Sequence, residues 1–172
     1  MHNFWVRANT VVLFALSVLM AMATMCAMST YLHTGVPDVK VLKVNSIKTL
    51  RNHGGVDRAL LYFDVHADLR PAWHWNLKQL FVYVVAEYES DANPVNQVVI
   101  WDKIVESSED AVLKIKKQPV KYALIDQGAE LRNKEVSLKL KWDHMPFTGG
   151  VYQGEGLGSN YTFPAKYVLK EA

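Results

Sequence analysis

Hydrophobic and polar residues follow two different rhythms along this chain. From Thr10 to Leu32 there is no charged residue, and Leu, Val, Met, Ala and Phe dominate. Past that run the pattern changes to alternation. Leu61, Phe63, Val65, Ala67 and Leu69 interleave with Tyr62, Asp64, His66 and Asp68, and Val136, Leu138, Leu140 and Trp142 interleave with Glu135, Ser137, Lys139 and Lys141. A two-residue period marks a strand with one buried face. Further strands are predicted over Val39–Ile47, Leu80–Tyr88, Gln97–Val105, Ala111–Ile115, Tyr122–Ile125 and Tyr161–Val168. Turn-forming residues separate them at Asn52–Gly55, Asp91–Pro94, Asp126–Gly128 and Gly149–Gly150. The fold class predicted is mainly β: one N-terminal transmembrane helix followed by an antiparallel β-sandwich. Leu80 to Ala86 is apolar on both faces, which predicts a central strand covered by the opposite sheet on one side and by a loop or partner on the other.

The uncharged run is 23 residues long. At about 1.5 Å per residue it reaches about 34 Å, enough to cross a hydrocarbon layer about 30 Å thick. A cleavable signal needs a shorter core, although Ala21-x-Ala23 imitates its cleavage site. Phe4 and Trp5 on one side and Tyr31 on the other suit the two interfaces. The charge count beside the helix is nearly balanced and does not orient it. The long C-terminal part is expected to be translocated regardless. The organisation expected is a short cytosolic tail over 1–9, a signal-anchor helix over 10–32, a linker over 33–39 and a lumenal domain over 40–172.

Composition narrows the chemistry. The chain has 172 residues and a formal net charge of +2, so no basic field for nucleic acid follows. Its single cysteine, Cys26, lies in the apolar run, so the domain has no internal disulfide. Asp64, His66 and Asp68 share a strand face and could form a metal half-site, or a solvated polar face. Ser107-Ser108 sits in an acidic turn, which opposes an oxyanion. Ser159 follows Gly154–Gly158, which is expected to be a surface loop. Trp73, Trp75 and Trp101 could line a sugar-binding face or serve as core and interface anchors. No catalytic, metal or cofactor site is assembled. Asn160-Tyr161-Thr162 is the one N-x-[ST] sequon, and Asn160 is the candidate glycosylation site.

Three stretches carry a family resemblance: Asn76–Phe81 followed by Ala86-Glu87-Tyr88, Asn96–Ile104 reading NQVVIWDKI, and Phe63–Leu69 reading FDVHADL. With Arg7-Ala8-Asn9 near the start, the chain resembles the signal peptidase complex subunit 3 family almost end to end. The resemblance implies a single-pass type II protein of the endoplasmic reticulum membrane with a lumenal β-sandwich. It also implies a non-catalytic accessory role in removing signal peptides, beside a catalytic serine peptidase subunit and the other subunits of the complex. Animal members of the family carry a sequon where this chain reads Glu135-Val136-Ser137, and here it is absent. The core or partner-contact candidates in the matching segments are Trp75, Asn76, Gln79, Leu80, Phe81, Asn96, Trp101, Asp102, Lys103 and Ile104. The alternative class is a membrane-anchored β-sandwich that binds carbohydrate or protein.

Overall fold

The computed structural model describes residues 3–33, 35–91 and 93–169, apart from the side chain of Leu157. Part of the expected Asp91–Pro94 turn, at Ala92, lies outside the described residues, as do Thr34 of the linker and the ends of the chain. Helix α1 runs over Phe4–Ser29, and a single 3-10 turn, Thr30–Leu32, continues it. Asn3 caps it by accepting from the Trp5 N–H at 3.2 Å, so the helix starts before the uncharged run does.

Among the described residues eight strands follow: β1 Asp38–His53, β2 Val56–Asp68, β3 Leu77–Tyr88, β4 Asn96–Val105, β5 Val112–Pro119, β6 Leu124–Asp126, β7 Glu135–Pro146 and β8 Tyr152–Thr162. They form two antiparallel four-stranded sheets, neither closed into a barrel. In the first, β1 and β5 flank β2, and β6 pairs with the free half of β2. In the second the order is β4-β3-β7-β8. One continuous core lies between them. Leu61, Phe63, Val65 and Ala67 of β2 meet Leu80, Val82 and Val84 of β3 and Leu138, Leu140 and Trp142 of β7. The alternation in β2 and β7 therefore has its cause in one buried face.

Strand β4 carries a bulge. Val84 faces Trp101 and Val85 faces Val99, leaving Ile100 as the extra residue. The Ile100 carbonyl accepts the N–H groups of Lys121 and Tyr122, at 2.9 and 3.0 Å, so the bulge anchors the β5–β6 connection.

Two expectations are corrected. Gly154–Gly158 is not a loop but the middle of β8. A Cβ on Gly154 would lie 2.4 Å from Nε1 of Trp142, and one on Gly156 would lie 3.0 Å from Trp142 Cζ3. The indole occupies the space that side chains on β8 would need. Tyr161–Val168 is not a strand either. β8 ends at Thr162, and Pro164 supplies no N–H for a ladder. Among the described residues past β8, Val168 returns and pairs with Leu50 of β1 through N–H to O distances of 2.7 and 2.9 Å.

Candidate functional site

The contact and core candidates of the family-like segments lie on β3, β4 and the turn before β3, and their side chains divide into three groups. Leu80 and Trp101 are buried in the core, where Trp101 meets Phe63 edge-on with ring centroids 5.8 Å apart. Asn76 and Asn96 hold backbone. Asn76, only 1% exposed, donates to the Thr148 carbonyl at 2.8 Å and accepts from the Thr148 N–H at 3.2 Å. Its own carbonyl takes the Phe147 N–H at 2.9 Å. Asn96 donates to Ser90 Oγ at 3.0 Å and to the carbonyls of Tyr88 and Asn93 at 3.3 Å, closing the β3–β4 turn.

The remaining candidates lie toward the outer face or the rim of the second sheet. Ile104 is 50% exposed and registers with half-buried Phe81, which stacks on Tyr83 at 5.3 Å. Gln79 donates to Met145 Sδ at 3.1 Å in the next strand. Asp102 faces Tyr83 across the ladder. One of its oxygens meets Lys121 Nζ at 3.2 Å, while Oδ1 is buried without a partner. Lys103 is half-buried on the edge strand. Trp75 stands 61% exposed at the rim, so the isolated chain does not use it as core.

Tyr83 and Val85 were not singled out by the sequence reading, yet they are buried on this outer face. Tyr83 donates toward Asp143 Oδ1 and accepts from Gln153, and Glu87 pairs with Lys139 and Lys141 alongside. Long side chains of the sheet itself thus cover its apolar centre. Lys139 lowers the Glu87 carboxyl below its ordinary range, which keeps that cluster ionised.

A second cluster joins α1 to the domain. His33 stacks on His74 at 4.9 Å, the His74 Nε2 and Tyr152 hydroxyl are 3.2 Å apart, and Tyr152 stacks on His144 at 4.0 Å. Burial pulls His74 and His144 below the usual histidine value, and His33 adds to the effect on His74. Two glycines let the chain pass here. A Cβ on Gly35 would lie 1.8 Å from the Pro71 carbonyl oxygen. Gly149, at φ 116°, comes to the flank of Ala27, where an added Cβ would lie 3.3 Å from the alanine methyl.

Asp64, Asp68 and Ser107, considered for chemistry, already have partners. Asp64 accepts from the Lys117 N–H at 2.8 Å and from Asn45 at 3.1 Å, and Asp68 is bound by Arg70 at 2.9 Å. No group of three His, Cys, Asp or Glu residues at metal-binding distance occurs among the described residues. Ser107 donates to Asp110 at 3.0 Å, and Ser159 Oγ is buried without a partner. Trp73 is half-buried, Trp75 exposed and Trp101 in the core, so the three form no common platform. Asn160 is exposed on β8 and donates to Glu135 Oε1 at 2.9 Å.

Comparison with known proteins accounts for the whole chain. The family described as Signal peptidase subunit matches residues 1–166. Signal peptidase complex subunit 3 of Drosophila melanogaster is 36% identical over 174 residues, covering 97% of each chain. The protein of the same name from Caenorhabditis elegans is 40% identical over 157 residues, covering 87% of this chain and 86% of its own. That of Dictyostelium discoideum is 33% identical over 172 residues, covering 100% of this chain and 99% of its own.

Proposed function

The chain belongs to the Signal peptidase subunit family, and from that premise we propose that it is a non-catalytic subunit that holds a serine peptidase subunit in place at the endoplasmic reticulum membrane. The observation that carries the reading is the end-to-end match to relatives named signal peptidase complex subunit 3. α1 is the membrane anchor: with its following turn it is a 29-residue apolar helix, none of it buried against the domain in its most hydrophobic stretch. The tail over 1–9 is cytosolic, 10–32 spans, 33–39 links and 40–172 is lumenal. The helix itself begins inside that tail, at Phe4.

The surface that meets the peptidase subunit is the outer face of the second sheet. Phe81 and Ile104 offer apolar area there. A contact of this kind positions a neighbour and adds no reacting group. Catalysis then stays with the partner. A glycan on Asn160 would project from the far end of β8, beside Glu135 on the neighbouring strand.

Purification in mild detergent tests the proposal. A serine peptidase subunit and further subunits are expected to co-elute with the chain, and signal-peptide cleavage is expected only in that fraction. Recovery of the chain alone from native membranes would refute it.

A further inference from the structure

The rim of the sandwich beside α1 differs from the rest of the surface. Trp75, Phe147 and Val151 are 61%, 69% and 65% exposed there, and Tyr31, Leu32 and Val36 are exposed beside them. Neither 71–77 nor 145–154 contains an Asp, Glu, Lys or Arg. This apolar tip is rigidly held. The Asn76 clamp fixes Phe147 and Thr148 next to Trp75, and Gly149 rests against Ala27. The acidic turn Glu106–Asp110 lies at the same end but on the β4–β5 flank, away from the β7–β8 hairpin that meets the helix.

We infer that this rim is seated in the headgroup layer of the bilayer that α1 crosses, with Trp75, Phe147 and Val151 as its inserted side chains. The inference rests on the reading of α1 as a membrane span. The contact with α1 sets the depth. Ala27 is 17 residues beyond Thr10, about 26 Å along a helix rising about 1.5 Å per residue, against a hydrocarbon thickness of about 30 Å. A hairpin touching Ala27 therefore sits where acyl chains give way to headgroups. Aromatic side chains with an apolar body are favoured at that level, and an uncharged loop enters it without desolvating ions. The acidic flank stays in water, so the domain leans on its β7–β8 side.

Nitroxide labels test this in the full chain, reconstituted in phosphatidylcholine vesicles with Cys26→Ser removing the native thiol. Labels at Phe147→Cys and Val151→Cys are compared with Gln127→Cys in a far turn and Leu16→Cys in mid-helix. At 147 and 151, accessibility to oxygen relative to a water-soluble nickel chelate is expected to be several-fold above that at 127 and below that at 16. Equal values at 147, 151 and 127, with 16 in hydrocarbon, would overturn the rim inference and leave the anchor standing. A water-like value at 16 would overturn the anchor and the inference with it. Shielding of 147 and 151 from both reagents would mean that protein covers the rim, which also overturns it. Trp75 gives a reading without any label: lipid brominated near its carbonyls is expected to quench emission that Trp75→Phe removes, and no difference between the two chains would count against insertion.

Discussion

Trp142 and Gly154 stand opposite each other in the β7–β8 ladder, and the indole fills the place of the missing side chain: a Cβ would lie 2.4 Å from Nε1. The edge of the second sheet is built on this substitution of one large ring for a run of small residues.

Gly154→Ala is therefore expected to cost about 1–3 kcal/mol, the usual range for overpacking a filled site. Gly150→Ala, where an added Cβ meets nothing within 4 Å, serves as the neutral control. Denaturant midpoints of the two variants check the contrast, and equal midpoints would count against it.

Acid is expected to weaken the junction between helix and domain. His74 and His144 both have values depressed below 6.5, chiefly by burial; the Tyr152 carbonyl and Asp143 oppose this for His144. The unfolded chain takes up these protons more readily than the folded one. Their contribution is full above 6.5 and falls as pH descends toward the lower folded-state values. Denaturation at neutral and mildly acidic pH should show the slope, reduced in His74→Gln. An unchanged slope in that variant would remove His74 from the explanation.

Ile104→Asp is expected to leave the fold within about 1 kcal/mol of its original stability, as exposed substitutions do, while abolishing co-elution of the peptidase subunit. Trp101→Ala, three residues earlier in the same segment, is expected to cost about 3–5 kcal/mol through the cavity it opens. Thermal melts and pull-downs on both variants separate contact from core. Undiminished co-elution with Ile104→Asp would move the interface elsewhere.

Glycosylation reports the side of the membrane on which the domain lies. Asn160→Gln and Thr162→Ala are each expected to abolish an endoglycosidase-sensitive mobility shift present in the unaltered chain. A shift surviving Thr162→Ala would place the sugar at another residue, since the hydroxyl at that position completes the sequon.

The sandwich was legible where burial is one-sided. In β2 and β7 the solvent face is polar, so the two-residue period survives in the residue types themselves. It was illegible in β8, because glycines carry no hydropathy to alternate. The available signal was spacing: Gly154, Gly156 and Gly158 recur every second residue. β3 read correctly as apolar on both faces, but Tyr83 and Val85 could not be distinguished from core, since their cover comes from charged residues on other strands. The His33–His74–Tyr152–His144 cluster was beyond reach, for its members come together only when the linker and three separate strand ends meet. Within the matching segments, residue type separated Trp101 from nothing: Trp75, apolar and aromatic too, lies outside the core because the chain turns there before entering β3.

The junction between rod and body is pinned at three points: Gly149 on Ala27, His33 on His74 and Gly35 under Pro71. Such a joint transmits rotation. A thicker or thinner lipid layer changes the lean of a spanning rod, and here the whole sandwich would swing with it, as a rudder follows its tiller.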